Sequence, residues 1–238
     1  MNTCWVCGAF ADSKEHKIKK SDLKLLYPLI NQKSPVYQRT NGGKIRSLGS
    51  YNSNGFKFYN SICQKCNNSL TQRSDRAWDI FSAYIKNNWS MVLDEGFIDV
   101  IKIYGLQNLK NLILLQLYFA KLMGCKIKES KLKFDSCLQD LSKSIRDETE
   151  NSNLYLSFRP SQNKYSDSYS ATSDIEVRRI KDRISYVHFF ITLGSFSVDI
   201  LYSSDTTDIN LNGGKTPSVL IQEGKIHLTT GSYDQQYS

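Results

Sequence analysis

Two C-x-x-C pairs constrain this chain more than any other feature. They are Cys4-Trp5-Val6-Cys7 and Cys63-Gln64-Lys65-Cys66. Four thiolates in two such knuckles are the usual tetrahedral set for a structural Zn²⁺. One ion joining them closes a loop of more than fifty residues. The enclosed segment is rich in Lys, Asn, Ser and Gly and has little apolar surface to bury. Its fold therefore has to draw on the metal, which in small domains contributes on the order of 10 kcal/mol.

The net charge of the 238 residues is +8, but its distribution says more. Residues 1–76 carry 13 Lys+Arg against 4 Asp+Glu, a balance of +9; residues 77–238 carry 18 against 19, a balance of −1. A basic segment on a near-neutral body is the footprint of a module that meets phosphates. Hydrophobic residues make up 40% of the chain, enough for a packed core. The most apolar stretch, Phe97 to Met123, is interrupted by Asp99, Lys102, Lys110 and Lys121, and its apolar pieces fall short of the ~20 residues of a membrane span. The N-terminus shows no basic region followed by an apolar run. A soluble, cytoplasmic protein with no membrane partner is expected, with cysteines that bind metal rather than form disulfides.

The periodicities predict an α+β chain in three parts: a zinc module over 1–76, a helical segment over 77–150 and a β-rich region over 151–238. In the first, Ser21 caps a helix from Asp22 to about Ile30, with Leu23, Leu26, Tyr27 and Ile30 on one face. Residues 31–58 read as a loop or irregular hairpin, with turn signals at Asn41-Gly42-Gly43 and Asn52-Ser53-Asn54-Gly55. A helix starts near Cys66 or Asn67. Residues 77–148 read as helical throughout, with Gly105 breaking the long apolar stretch, Gly124 ending its second helix and a third helix over Phe134–Ile145. Strands are expected at Tyr155–Phe158, Ser185–Thr192, Ser195–Tyr202, Ser218–Gln222 and Lys225–Thr229, with a turn at Leu193-Gly194-Ser195, a polar loop over Ser161–Ser173 and a frayed tail from Tyr233. Cys125 and Cys137 read as core residues, and His188 and His227 as sheet residues without partners nearby in sequence.

Between the knuckles lies Glu15-His16-Lys17-Ile18; Asn60 precedes the second pair and Asn67-Asn68 follow it. This set resembles the zinc-containing branch of the HNH endonucleases over roughly the first third of the chain. The resemblance implies a ββα-metal fold, a hairpin packed on a helix with the active site between them. It implies that His16 is the general base, that Glu15 and the carbonyl oxygen of Asn67 hold a catalytic Mg²⁺ or Mn²⁺, and that Asn60 supports the active-site loop. Zn²⁺ on Cys4, Cys7, Cys63 and Cys66 is then structural. The chain departs from the pattern at Lys19, where proline is common, and in a longer His16-to-Cys63 spacing. Asn52 and Asn54 compete with Asn60, and helix capping competes with metal binding for Asn67.

The chemistry of these residue types agrees with that reading. An imidazole titrating near neutrality can take a proton from water, and hard oxygen donors suit Mg²⁺ or Mn²⁺. Neighbours along a strand point to opposite sides, so Glu15 and His16 cannot share one role. Arg73 and Arg76, one helical turn apart, are candidates for phosphate contact. The expectation is a metal-dependent endonuclease acting on DNA, in a bacterial or phage defence or mobile-element setting. A homodimer and a regulatory or targeting protein are further candidate partners. The alternative is a non-catalytic zinc module that docks nucleic acid or protein.

Overall fold

The computed structural model describes residues 2–40, 42–161, 169–180, 183–204 and 224–229. It is a mixture of helix and sheet. Helix α1 (Lys20–Leu26) is followed by a hairpin of β1 (Val36–Arg39) and β2 (Ile45–Leu48). A π-helical turn over Cys66–Leu70 leads into α2 (Gln72–Glu95). Then come β3 (Phe97–Asp99), α3 (Val100–Tyr104), α4 (Asn108–Glu129) and α5 (Asp135–Asp147). The remaining strands are β4 (Leu154–Pro160), β5 (Ser170–Thr172), β6 (Glu176–Ile180), β7 (Arg183–Leu193), β8 (Phe196–Ser203) and β9 (Lys225–His227).

The five-stranded sheet is antiparallel and runs β4-β8-β7, with β5 and β6 sharing the outer edge of β7. Thr172 of β5 faces Ile191, and Val177 of β6 faces Val187. Gly194, with φ of 59°, makes the tight β7–β8 turn expected at Leu193–Ser195. Residues Ser170–Thr172, read from sequence as loop, form β5. The expected strand at Ser218–Gln222, the tail from Tyr233, and Asn41 of the first turn signal lie outside the described residues.

Several helix boundaries differ from the sequence reading. Helix α1 starts at Lys20, so Ser21 lies inside it rather than capping it, and its hydroxyl donates to Asp79 Oδ1. Helix α1 stops at Leu26 because Pro28 disfavours helical backbone at Tyr27, where φ is −128° and ψ 81°. The stretch 77–148 is not helical throughout. Gly96 closes α2 in a left-handed conformation, and Phe97–Asp99 form β3, which pairs with β9 from the far end of the described chain. Asp99 then caps α3 by accepting from the N–H groups of Ile101 and Lys102. Gly124 does not end α4, which continues five residues beyond it. A Cβ on Gly124 would lie 2.3 Å from the Trp5 ring, so glycine stands there to admit the first cysteine knuckle.

Helix α4 is the centre of the molecule and is buried almost all round from Leu114 to Ile127. Trp5 and the zinc segment cover one side. On another, Tyr118 stacks on Trp78 of α2 with ring centroids 5.2 Å apart. Towards the sheet, the Gln116 amide donates to the carbonyls of Asn151 and Leu154 and accepts from the Asn151 N–H, which fixes the entry to β4. One hydrophobic cluster runs from Cys4 to Ile226, and position 76/77 falls inside α2. Cys125 and Cys137 are fully buried in it. From α1, Asp22 accepts a 2.7 Å hydrogen bond from the Trp78 indole, and burial pushes its carboxyl up to about 6.

Gly124→Ala tests the close approach. Alanine gains about 1 kcal/mol of helix propensity over glycine. Overpacking against Trp5 costs roughly 1–3 kcal/mol. The variant should therefore be no more stable than wild type in urea unfolding, and Trp5→Ala in the same background should relieve the clash.

Candidate functional site around His16

The four cysteines come together as their spacing predicts. Their sulfurs lie within 4.8 Å of one another, and Cys7 Sγ is 3.6 Å from Cys63 Sγ. Bonds of ~2.3 Å to one tetrahedral Zn²⁺ would set the sulfurs about 3.8 Å apart. Gly8, at φ 78°, turns the first knuckle and donates its N–H to the Cys4 carbonyl. Asp12 accepts from the Gln64 N–H and ties the second knuckle to the first. Burial pushes the Cys4 and Cys66 thiols up, and the neighbouring sulfurs push Cys66 further. Four thiolates this close are stable only around a cation, so the donor set fits Zn²⁺.

Between the knuckles, an extended segment at 13–17 pairs antiparallel with 56–62. Ser13 N–H donates to Ile62 O, Phe58 N–H to Glu15 O and Lys17 N–H to Phe56 O. Bridges join Ser13 to Ile62 and His16 to Lys57, so the second strand carries two extra residues between them. Asn60 sits half-buried in that irregular stretch. The helical turn from Cys66 follows directly, and Asn67 reaches back so that its Nδ2 donates to Ser13 Oγ at 3.0 Å. Asn67 Oδ1 is buried without a hydrogen-bond partner.

Glu15 and His16 point to opposite sides, as strand geometry requires. His16 is half-buried on the outer side. Its Nε2 lies 3.3 Å from the Tyr51 carbonyl oxygen, which can only accept, so Nε2 carries the proton and Nδ1 keeps its lone pair in the neutral ring. Burial depresses its pKa, and Lys57, Lys20 and Lys121 depress it further against the opposing pull of the Tyr51 carbonyl. The imidazole is therefore neutral at neutral pH and surrounded by positive charge.

Glu15 faces inward and is only 7% exposed. Its Oε2 is 2.9 Å from Lys121 Nζ, and the same ammonium is 2.6 Å from Asp75 Oδ1. Lys121 is wholly buried; its two carboxylate neighbours hold its pKa above the usual lysine value against the pull of burial. Asp75 and Asn67 lie two helical turns apart on α2 and the turn before it, both turned toward the 13–17 segment. Lys19 adds a 2.7 Å ion pair to Asp79, also on α2. Of the two arginines, Arg73 is paired with Glu148 and Arg76 is exposed.

No family model matches the chain, and searches of curated proteins and of solved structures find no match either. The chemistry has to be read from the residues themselves.

Sequence reasoning did not single out Tyr51, Asp75 or Lys121. Lys121 left a signal: an ammonium in the middle of the most apolar run of the chain must be paired when buried. The partners of His188 were equally invisible. They are Asp199 of β8 and Glu176 of β6, at 3.2 and 3.3 Å, and Arg159 of β4 donates to the same Asp199. These groups lie on adjacent strands and meet only in the folded sheet. His227 faces Phe97 across the β3–β9 pair. Among the described residues, no helix is long and apolar enough to cross a membrane.

Two outcomes follow. Cys63→Ser should lower bound zinc, measured by mass spectrometry, and lower the melting temperature in parallel. Lys121→Met leaves the buried Glu15 and the half-buried Asp75 without their cation. It should cost about 3–5 kcal/mol in urea unfolding, and adding Glu15→Gln should recover part of that loss.

Proposed function

We propose that the protein is a nuclease that hydrolyses DNA phosphodiester bonds, with His16 as general base on a ββα-metal module stapled by zinc. The order of elements supports the module: a segment at 13–17, a facing segment at 56–62 joined to it by two isolated bridges, then a helix from Cys66, with the cysteine set beside them. One observation carries the reading. His16 is neutral, its tautomer is set by the Tyr51 carbonyl, and its free Nδ1 lies among lysines on the strongly basic side of the chain.

In this scheme Nδ1 takes a proton from a water that attacks phosphorus in line. The new phosphorus–oxygen bond forms as the bond to the leaving sugar oxygen breaks, and that oxygen is protonated from solvent. Lys57 and Lys20 offset the charge that builds on the phosphoryl oxygens. The resemblance also implies Mg²⁺ or Mn²⁺ on Glu15 and Asn67. Asn67 Oδ1 fits, as a buried oxygen without a partner. Glu15 does not fit as it stands, because Lys121 already neutralises its carboxylate. No step is therefore routed through the metal.

The test is nicking of supercoiled plasmid by zinc-loaded protein in Mg²⁺, Mn²⁺ or EDTA. His16→Ala should lower the rate about a hundredfold or more with zinc content unchanged. Because the His16 pKa is lowered, the active neutral form persists below the ordinary histidine value of 6.5. The rate should be flat above that pH and fall on an acid limb whose midpoint lies beneath it. A His16→Ala protein as active as wild type overturns the assignment. A zinc-loaded wild type that binds DNA in every metal yet never cuts it favours the non-catalytic module, the reading to which the Glu15–Lys121 pair lends weight.

A further inference from the structure

The hairpin of β1 and β2 has two unlike faces. Leu48 is buried, Val36 packs against the core, and Gln38 Nε2 donates to the Gly55 carbonyl, so one face is fixed to the body. The other face carries Tyr37 and Arg39 on β1 opposite Ser47 and Ile45 on β2. Tyr37 and Ile45 are each 68% exposed, an unusual place for two large apolar side chains. Arg39 on this face and Lys44 in the turn are exposed as well; Arg46, also exposed, pairs with Gln38 and leaves from the other face. No Asp or Glu occurs anywhere from residue 23 to residue 74, so nothing on this ribbon or its flanks offsets its positive charge.

We propose that this ribbon is the surface that engages duplex DNA, entering the major groove with Tyr37 and Ile45 against the base edges and Arg39 and the turn residue Lys44 on the phosphates. The inference rests on the nuclease reading for its purpose, and on charge and shape for its occupant. A two-stranded ribbon fits the ~12 Å major groove. Its strands of four residues extend roughly 14 Å, enough to cross from one phosphate backbone toward the other. The ribbon is also coupled to the base: three residues beyond β2, the Tyr51 carbonyl holds His16, and the Tyr51 hydroxyl donates to the Tyr27 carbonyl at 2.6 Å. DNA seated on the ribbon is thereby placed beside the imidazole. The ribbon supplies base-facing contacts that a small zinc module lacks.

The experiment is fluorescence anisotropy of a short labelled duplex across a salt series, with wild type, Arg39→Ala/Lys44→Ala and Tyr37→Ala. A control double variant, Lys128→Ala/Lys133→Ala, removes the same charge from exposed positions in the last turn of α4 and just after it. The ribbon double should weaken binding roughly tenfold or more near about 100 mM salt and reduce the slope of log K against log salt by about 1.8. Tyr37→Ala should weaken binding without changing the slope. The exposed sites allow the fold to be checked independently by zinc content and melting temperature. Equal losses in the ribbon and control doubles would overturn the inference, as would tighter binding to single-stranded DNA or RNA than to the duplex. A ribbon double that loses binding while wild type never cleaves leaves the ribbon standing and removes the nuclease reading. A ribbon double that binds and cuts normally does the reverse.

Discussion

A buried ammonium organises this molecule. Lys121 lies in the middle of the buried stretch of α4, Leu114 to Ile127, and it must carry its charge because Glu15 and Asp75 hold it there. The three groups come from the cysteine-bearing segment, from α2 and from α4. Their geometry therefore fixes how the metal module sits on the rest of the fold. Gly124, one turn further along α4, lets Trp5 approach the same helix. Desolvating such a trio is expensive, and a well-packed apolar substitute of the same volume could be as stable. What the ion pairs add is a unique arrangement: the module cannot slide along α4 without stranding a charge.

The same constraint divides one short strand into two roles. Glu15 turns inward and is committed to the interior, while His16 turns outward, toward the lysines and the base of the ribbon. A divalent ion at Glu15 and the ammonium of Lys121 exclude each other. Chemistry at His16 then depends on the imidazole, its tautomer and the basic surroundings, built by residues 1–76 together with Lys121 of α4. The β-rich region supplies the outer wall of the core through Phe158, Phe189 and Phe196 and its own buried His188–Asp199–Arg159 network.

Local signals were legible wherever a residue acts through its neighbours in sequence. The cysteine knuckles, the apolar spacing of α2 and α4, the turn at Gly194 and the long strands β7 and β8 all follow from spacing and side-chain type. The boundaries of α1 and α4 were not. Pro28 ends α1 earlier than its apolar face suggests, and Gly124 reads as a stop signal although its purpose is room for an indole ring. Short strands β3 and β5 carry too few residues for a periodicity and exist because a partner strand is present.

The sequence by itself determined the four-cysteine set that could hold a metal, the basic character of the first 76 residues and the mixed helix–sheet composition. Each of these is a property of spacing or of summed charge, and neither depends on what lies across the fold. Tertiary structure alone decided that Glu15 belongs to Lys121, that Tyr51 sets the tautomer of His16, that His188 meets two carboxylates and that the 31–58 segment presents Tyr37, Arg39 and Ile45 on the free face of a hairpin. These are pairings between residues far apart along the chain, or between the faces of a hairpin. Burial raises the cost of an unpaired charge so steeply that the fold, rather than local preference, assigns the partners.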